Sequence, residues 1–138
     1  MEIKDFNELN ALYRLLVKIK TSDKLDSDDT DLFAGSPFIN DILKRVSEEF
    51  MPKLKEKYDS DKMDKWLKET KFTCDSDMGK AIKIRIQNWE AATIDNLNGK
   101  TKDDYYEIAR GYVEPFDFEQ QELQKLADFI ETRVNSIK

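Results

Sequence analysis

Apolar positions recur at helical spacing along nearly the whole chain, and the stretch from Ser76 to Leu97 carries the pattern furthest. At about 100° per residue, Met78, Ala81, Ile82, Ile86, Trp89, Ala92 and Leu97 fall on one stripe, while Ile84, Ala91 and Ile94 fall opposite. A helix that is apolar on two sides is packed by neighbours on both. Ser76 stands where a cap is needed and Gly99 where a stop is needed, so the pattern predicts one central helix over 76–97. A competing pattern overlaps it. Ile82-Lys83-Ile84-Arg85-Ile86 alternates with period two, and Lys71-Phe72-Thr73-Cys74 could pair with it as a short hairpin at 71–86. An isolated two-stranded hairpin is marginal in water, and the helical pattern runs on through Trp89 and Leu97, which favours the helix.

The flanking segments read in the same way. Asp5 and Glu8 have capping-box spacing, and the helix they open sets Phe6, Leu9, Leu12, Tyr13, Leu15, Leu16, Val17 and Ile19 on a broad stripe. It should end near Lys20, where a basic residue suits the negative end of the helix dipole. Ser36-Pro37 starts a second helix, with Phe38, Ile39, Ile42, Leu43, Val46 and Phe50 along one side and a break or kink expected at Pro52. Ser60 can cap a short helix that groups Met63, Trp66 and Leu67. Thr101 caps a helix to about Val113, bearing Tyr105, Tyr106, Ile108, Ala109, Tyr112 and Val113, with Gly111 and Pro115 ending it. Asp117 and Gln120 open a last helix to about Ile137, on which Leu123, Leu126, Ala127, Ile130 and Val134 face one way. The expectation is an all-α, single-domain bundle of five or six helices over 1–138; α+β with the 71–86 hairpin is the minor alternative.

Composition narrows this further. Four Gly and three Pro leave little material for a turn-rich β fold. A charged fraction of 38% against 39% hydrophobic fits a small bundle with a heavily charged surface, because the amphipathic periodicity persists. The single cysteine, Cys74, rules out an intramolecular disulfide and points to a reducing compartment. Histidine is absent, which removes the commonest general base and zinc ligand and makes Ser–His and Cys–His catalysis impossible. With no leader-like start and no apolar run of the ~18 residues a membrane span needs, a cytoplasmic protein is expected. No cofactor, metal or catalytic residue is assigned.

The formal charge of −6 argues against phosphate-neutralising nucleic-acid binding and permits a basic protein partner. Two acidic regions stand out. The segment 22–35 holds Asp26, Asp28, Asp29 and Asp31; it begins like a calcium loop but has Asp31 where the motif needs Gly and Pro37 where it needs Glu. In Asp103-Asp104-Tyr105-Tyr106-Glu107, Asp103, Asp104, Tyr106 and Glu107 combine carboxylates that steer a basic partner with an aromatic that could anchor it. Lys80, Lys83 and Arg85 form a smaller basic cluster, open to intramolecular pairing or to a nucleic-acid target.

Asp75-Ser76-x-x-Gly79 followed by Trp89-x-Ala91-Ala92 resembles a stretch of the small helical immunity proteins that neutralise colicin-type nucleases. The Gly-to-Trp spacing is longer here, and the tyrosine pair, which precedes that stretch in those proteins, follows it. The resemblance spans 75–92 alone and assigns no family. The expected function is a protein-binding inhibitor of immunity or antitoxin type that occludes a basic toxin domain such as a nuclease. Alternatives are an adaptor or subunit of a larger complex, phage-related or nucleic-acid-associated, and a carboxylate-based enzyme.

Overall fold

The structure, a computed structural model, describes residues 2–21 and 33–136, without the side chain of Glu69. Among the described residues it is all-helical, with seven helices where five or six were expected. They are α1 (Phe6–Thr21), α2 (Pro37–Lys57), α3 (Ser60–Thr70), α4 (Asp77–Gln87), α5 (Ala91–Leu97), α6 (Lys102–Val113) and α7 (Gln120–Asn135). Among the described residues no helix is long and apolar enough to cross a membrane.

The extra helix comes from a break in the predicted central one. Ser76 does cap α4, its hydroxyl accepting from the Gly79 amide at 3.1 Å. The helix stops at Gln87, where the Asn88 amide bonds back to the Ile84 and Arg85 carbonyls. The chain turns through Trp89 and restarts as α5. The turn sends the Trp89 indole inward, where Nε1 donates to the Tyr112 hydroxyl at 3.1 Å. Resetting the helical phase leaves Ala92 of the expected stripe exposed, and of the opposite side, expected to be packed as well, Ile94 is buried while Ile84 and Ala91 are exposed.

The hairpin alternative does not form: Ile82–Ile86 is helical, and Phe72 makes an isolated parallel bridge to Phe118 instead. Pro52 lies inside α2 without ending it. Both Pro52 and Glu48, whose carbonyl loses its helical donor, are exposed, so water can replace the missing bond. The cap of α3 is Asp59 rather than Ser60, accepting from the Lys62 amide at 2.9 Å. The cap of α7 is Glu119, and the capping box expected from Asp117 is not made. At α6 the expected Thr101 cap is present.

Packing produces two hydrophobic clusters. The first joins α1 and α2 through Leu9, Tyr13, Leu16, Leu43, Val46 and Phe50, with Trp66 of α3 against it. The second joins α4 to α7 around Phe72, Ile82, Ile86, Trp89, Tyr105, Leu123, Leu126 and Ile130. Between them lies a buried polar junction. Lys20, expected at a solvated helix end, is fully buried and donates from Nζ to the Ala34 carbonyl at 2.8 Å, the Gly111 carbonyl at 3.0 Å and Oδ1 of Asn40. Asn40 completes the junction by donating from Nδ2 to the same Gly111 carbonyl at 2.9 Å.

Candidate functional site

The acidic stretch at the start of α6 sits on a firmly built helix end. Gly99, at φ +79°, makes the turn that precedes it, a conformation other residues adopt only with strain. Thr101 Oγ1 then accepts from the Asp104 amide at 3.2 Å, and Asp104 Oδ2 accepts from the Thr101 amide at 2.9 Å, a reciprocal capping box. These hydrogen bonds from Thr101 hold the Asp104 carboxyl below the usual carboxylate range. Tyr105 turns the other way and donates its hydroxyl to the Leu97 carbonyl at 2.9 Å, fixing α6 to α5.

Along the outer face of α6, Asp103, Asp104 and Glu107 are all exposed. Arg110 partly offsets them, reaching Glu107 at 3.3 Å and Glu114 at 2.7 Å. Both carboxylates, Glu114 first, hold the Arg110 guanidinium charged. Beside this face runs an open cleft of about 480 Å³. Lys100, Asp104 and Glu107 form part of its lining together with Ile108, Gly111 and Gly35. The two glycines let the backbones close up: a Cβ on Gly111 would stand 3.0 Å from the Gly35 carbonyl oxygen. The result is a cleft lined by apolar groups and two glycines, with two carboxylates, Asp104 and Glu107, and one ammonium, Lys100, among its lining.

The predicted surface is thus only partly assembled. Asp104 and Glu107 share the cleft. Tyr106 is half-buried against the second cluster, and two residues of helix turn place it roughly 160° around α6 from Asp104. It does not line the cleft. Asp103 lies on the crest between them. Asp26, Asp28, Asp29 and Asp31 lie outside the described residues.

The basic cluster of the sequence is dispersed. Arg85 is buried, Lys83 approaches the Phe129 ring with Nζ 5.8 Å from its centroid, and Lys80 is exposed. Cys74 is buried, its amide donating to Glu122 Oε2 at 3.0 Å and its thiol to the Glu122 carbonyl at 3.4 Å. Burial pushes the thiol up, away from the reactive thiolate.

Sequence reasoning missed Lys20. Burial lowers its pKa to about 7, reinforced by the Arg85 charge and opposed by Glu114. The three oxygens around Nζ match the three N–H bonds of an ammonium, so the charged form keeps its partners inside the protein. A signal existed. Leu9, Tyr13, Leu16 and Lys20 follow one another at spacings of four, three and four, so Lys20 occupies the buried face of α1.

Comparison of the chain with family models, curated proteins and solved structures gives no match.

Proposed function

We propose that this chain is a small acidic binding protein that occludes a basic protein partner, as immunity and antitoxin proteins do, and that the cleft face of α6 receives that partner. The observation that carries this reading is that the Asp104 and Glu107 carboxylates, against the single cation Lys100, line an open cleft together with Ile108, Gly35 and Gly111. A lysine or arginine side chain can lay its apolar stem on such a lining while its cation meets the carboxylates. The capping box holds Asp104 in place before the partner arrives, which limits the ordering entropy of binding. The formal charge of −6 adds long-range attraction for a basic protein. The absence of histidine agrees with a role in binding rather than in catalysis, and the reading places the protein in the cytoplasm.

The adaptor or subunit reading drew on the Lys80–Arg85 cluster, and the burial of Arg85 weakens that support. The test is capture from the soluble fraction of the native host at low salt, with wild type beside Glu107→Lys. A single basic protein retained by wild type, released by salt and lost with the variant supports the proposal. Equal retention by both proteins would move the partner site off α6.

A further inference from the structure

The Gly111 carbonyl belongs to the last turn of α6, where a helix would satisfy it with the amide four residues on. That residue is Pro115, which has no amide proton. Donors from two other helices take its place. Lys20 Nζ reaches the carbonyl from α1 at 3.0 Å, and Asn40 Nδ2 reaches it from α2 at 2.9 Å. The cation also meets the negative end of the α6 dipole. Lys20 and Asn40 thus cap α6 from outside it.

The same nitrogen sets what lies against Gly111. It holds the Ala34 carbonyl at 2.8 Å and Oδ1 of Asn40, one on each side of Gly35 along the chain. The Asn40 amide bonds to the Ser36 carbonyl at 3.1 Å and closes the turn between these two anchors. Gly35 is seated closely: a Cβ on it would stand 3.6 Å from the Tyr112 ring, and its carbonyl oxygen lies 3.0 Å from the place of a Cβ on Gly111. Gly35, Gly111 and Tyr112 all line the α6 cleft. We propose that Lys20 is the positioning residue of that cleft, its buried ammonium seating Gly35 on Gly111 and Tyr112 so that the lining is formed before a partner arrives. Lys20 is fully buried, so it acts through the backbone and meets no partner itself. The benefit to a basic partner rests on the reading of the cleft given above.

Three oxygens need three N–H bonds, which the ammonium has and the neutral amine lacks. Burial brings the titration of Lys20 to about 7; among the described residues Glu114, just past α6, favours the ammonium and Arg85 of α4 opposes it. From α2 and the turn before it, Asn40 and the Ala34 carbonyl meet the nitrogen. The chain has no histidine to titrate in the same range. The seat should therefore loosen as pH rises through neutrality, even though the fold as a whole gains by losing a buried charge.

The test is NMR of the full chain, following the Overhauser contact between the Gly35 Hα protons and the Tyr112 ring. In wild type the contact is expected near pH 6 and should weaken by about pH 8; in Lys20→Met it should be weak at both. Asn40→Asp keeps an acceptor for the ammonium and adds a negative charge, so the pH at which the contact weakens should rise by about one pH unit or more. This variant decides the matter should Lys20→Met fail to fold by circular dichroism. Acetyl-hexalysine amide, whose charge is constant over this range, serves as the basic probe and should bind Lys20→Met about threefold or more weakly than wild type near pH 6. A contact that persists in Lys20→Met, or a midpoint that Asn40→Asp does not raise, would overturn the proposal. A probe that leaves Ile108 of wild type unshifted, while the contact behaves as expected, would strike the partner reading and leave the positioning intact.

Discussion

The Lys20 ammonium donates to the Gly111 carbonyl at 3.0 Å across 91 residues of sequence, tying the last turn of α1 to the last turn of α6. The same nitrogen holds the Ala34 carbonyl at 2.8 Å and Oδ1 of Asn40 on α2. One side chain thus joins elements of both hydrophobic clusters, and Gly111 carries the connection to the α6 cleft. Lys20→Met keeps the stem and removes the donors. It is expected to lower stability by about 1–3 kcal/mol, because buried oxygens lose their partners. The two tryptophans allow a sharper reading, since Trp66 packs on the first cluster and Trp89 lies in the second. Followed one at a time, in Trp66→Phe and Trp89→Phe backgrounds, the fluorescence midpoint should coincide with the circular-dichroism midpoint of the same protein when Lys20 is present and separate from it with Lys20→Met. Coincident midpoints in both cases would show that packing alone couples the clusters.

The junction also sets a pH dependence. Lys20 titrates near 10.5 in the unfolded chain and at about 7 in the fold. Between those values the unfolded chain holds more protons, so stability rises with pH across the window, by at most about 1.4 kcal/mol per pH unit. Below about pH 7 both states carry the proton and this contribution is flat. Tyr13 acts in the opposite sense at higher pH, because burial pushes its phenol from 10.0 to about 12. Its unfolded form ionises first, so stability falls as pH passes from 10 to 12. Denaturant melts at a series of pH values should therefore rise above neutrality and turn down beyond pH 10. With Lys20→Met the rise should vanish and the fall remain.

Gly79→Ala is expected to be severely destabilising. A Cβ at this position would stand 2.1 Å from the Thr73 carbonyl oxygen and 2.6 Å from that of Cys74. Both atoms are backbone, so no side-chain rotation relieves the clash. A loss of about 1–3 kcal/mol or more follows from overpacking of this kind. Ser76→Ala, which removes the hydroxyl that accepts from Gly79 at 3.1 Å and donates to the Thr73 carbonyl at 2.6 Å, should cost about 1–2 kcal/mol. Chemical denaturation of the two variants checks the order.

Trp89 is 6% exposed and bonded to Tyr112. Trp89→Ala should cost about 3–5 kcal/mol. Trp89→Phe retains most of the packing but removes the donor to the Tyr112 hydroxyl, and should cost about 1–3 kcal/mol. If the alanine variant lost less than about 1 kcal/mol, the indole would not be a core side chain.

At the α6 face, Asp103→Lys and Glu107→Lys should slow association with a basic partner by roughly tenfold at low salt while leaving the fold intact. Both side chains are exposed, and neither takes part in the capping box. The effect should shrink as salt is added. Stopped-flow association rates that match wild type at low salt would remove these residues from the encounter surface.

Much of the fold is legible in the residues. The α1 start at Asp5, the Ser76 and Thr101 caps and most of the apolar faces of α1, α2, α6 and α7 follow from local rules. Leu15, Phe38 and Ile42, which share the expected stripes of α1 and α2, are nevertheless exposed. The break at Asn88–Glu90 is not legible, because the hydrogen bond from Trp89 to Tyr112 is a contact between distant segments. The candidate site was partly legible as a run of acidic residues. Its cleft was not, because Gly35 and Gly111 meet only when the chain is folded. Tyr106 shows the limit of adjacency: next to acids in sequence, it faces another way on the helix.

By itself the sequence determined which segments are helical and which side of most helices is buried, since both depend on interactions within a few residues. The tertiary structure alone decided where the phase of the 76–97 stretch is reset, how Lys20 is buried and which carboxylates border a cleft. Lys20 makes the reason plain. Its nitrogen is buried where three separate parts of the chain turn oxygens toward it, and no window along the sequence contains all three.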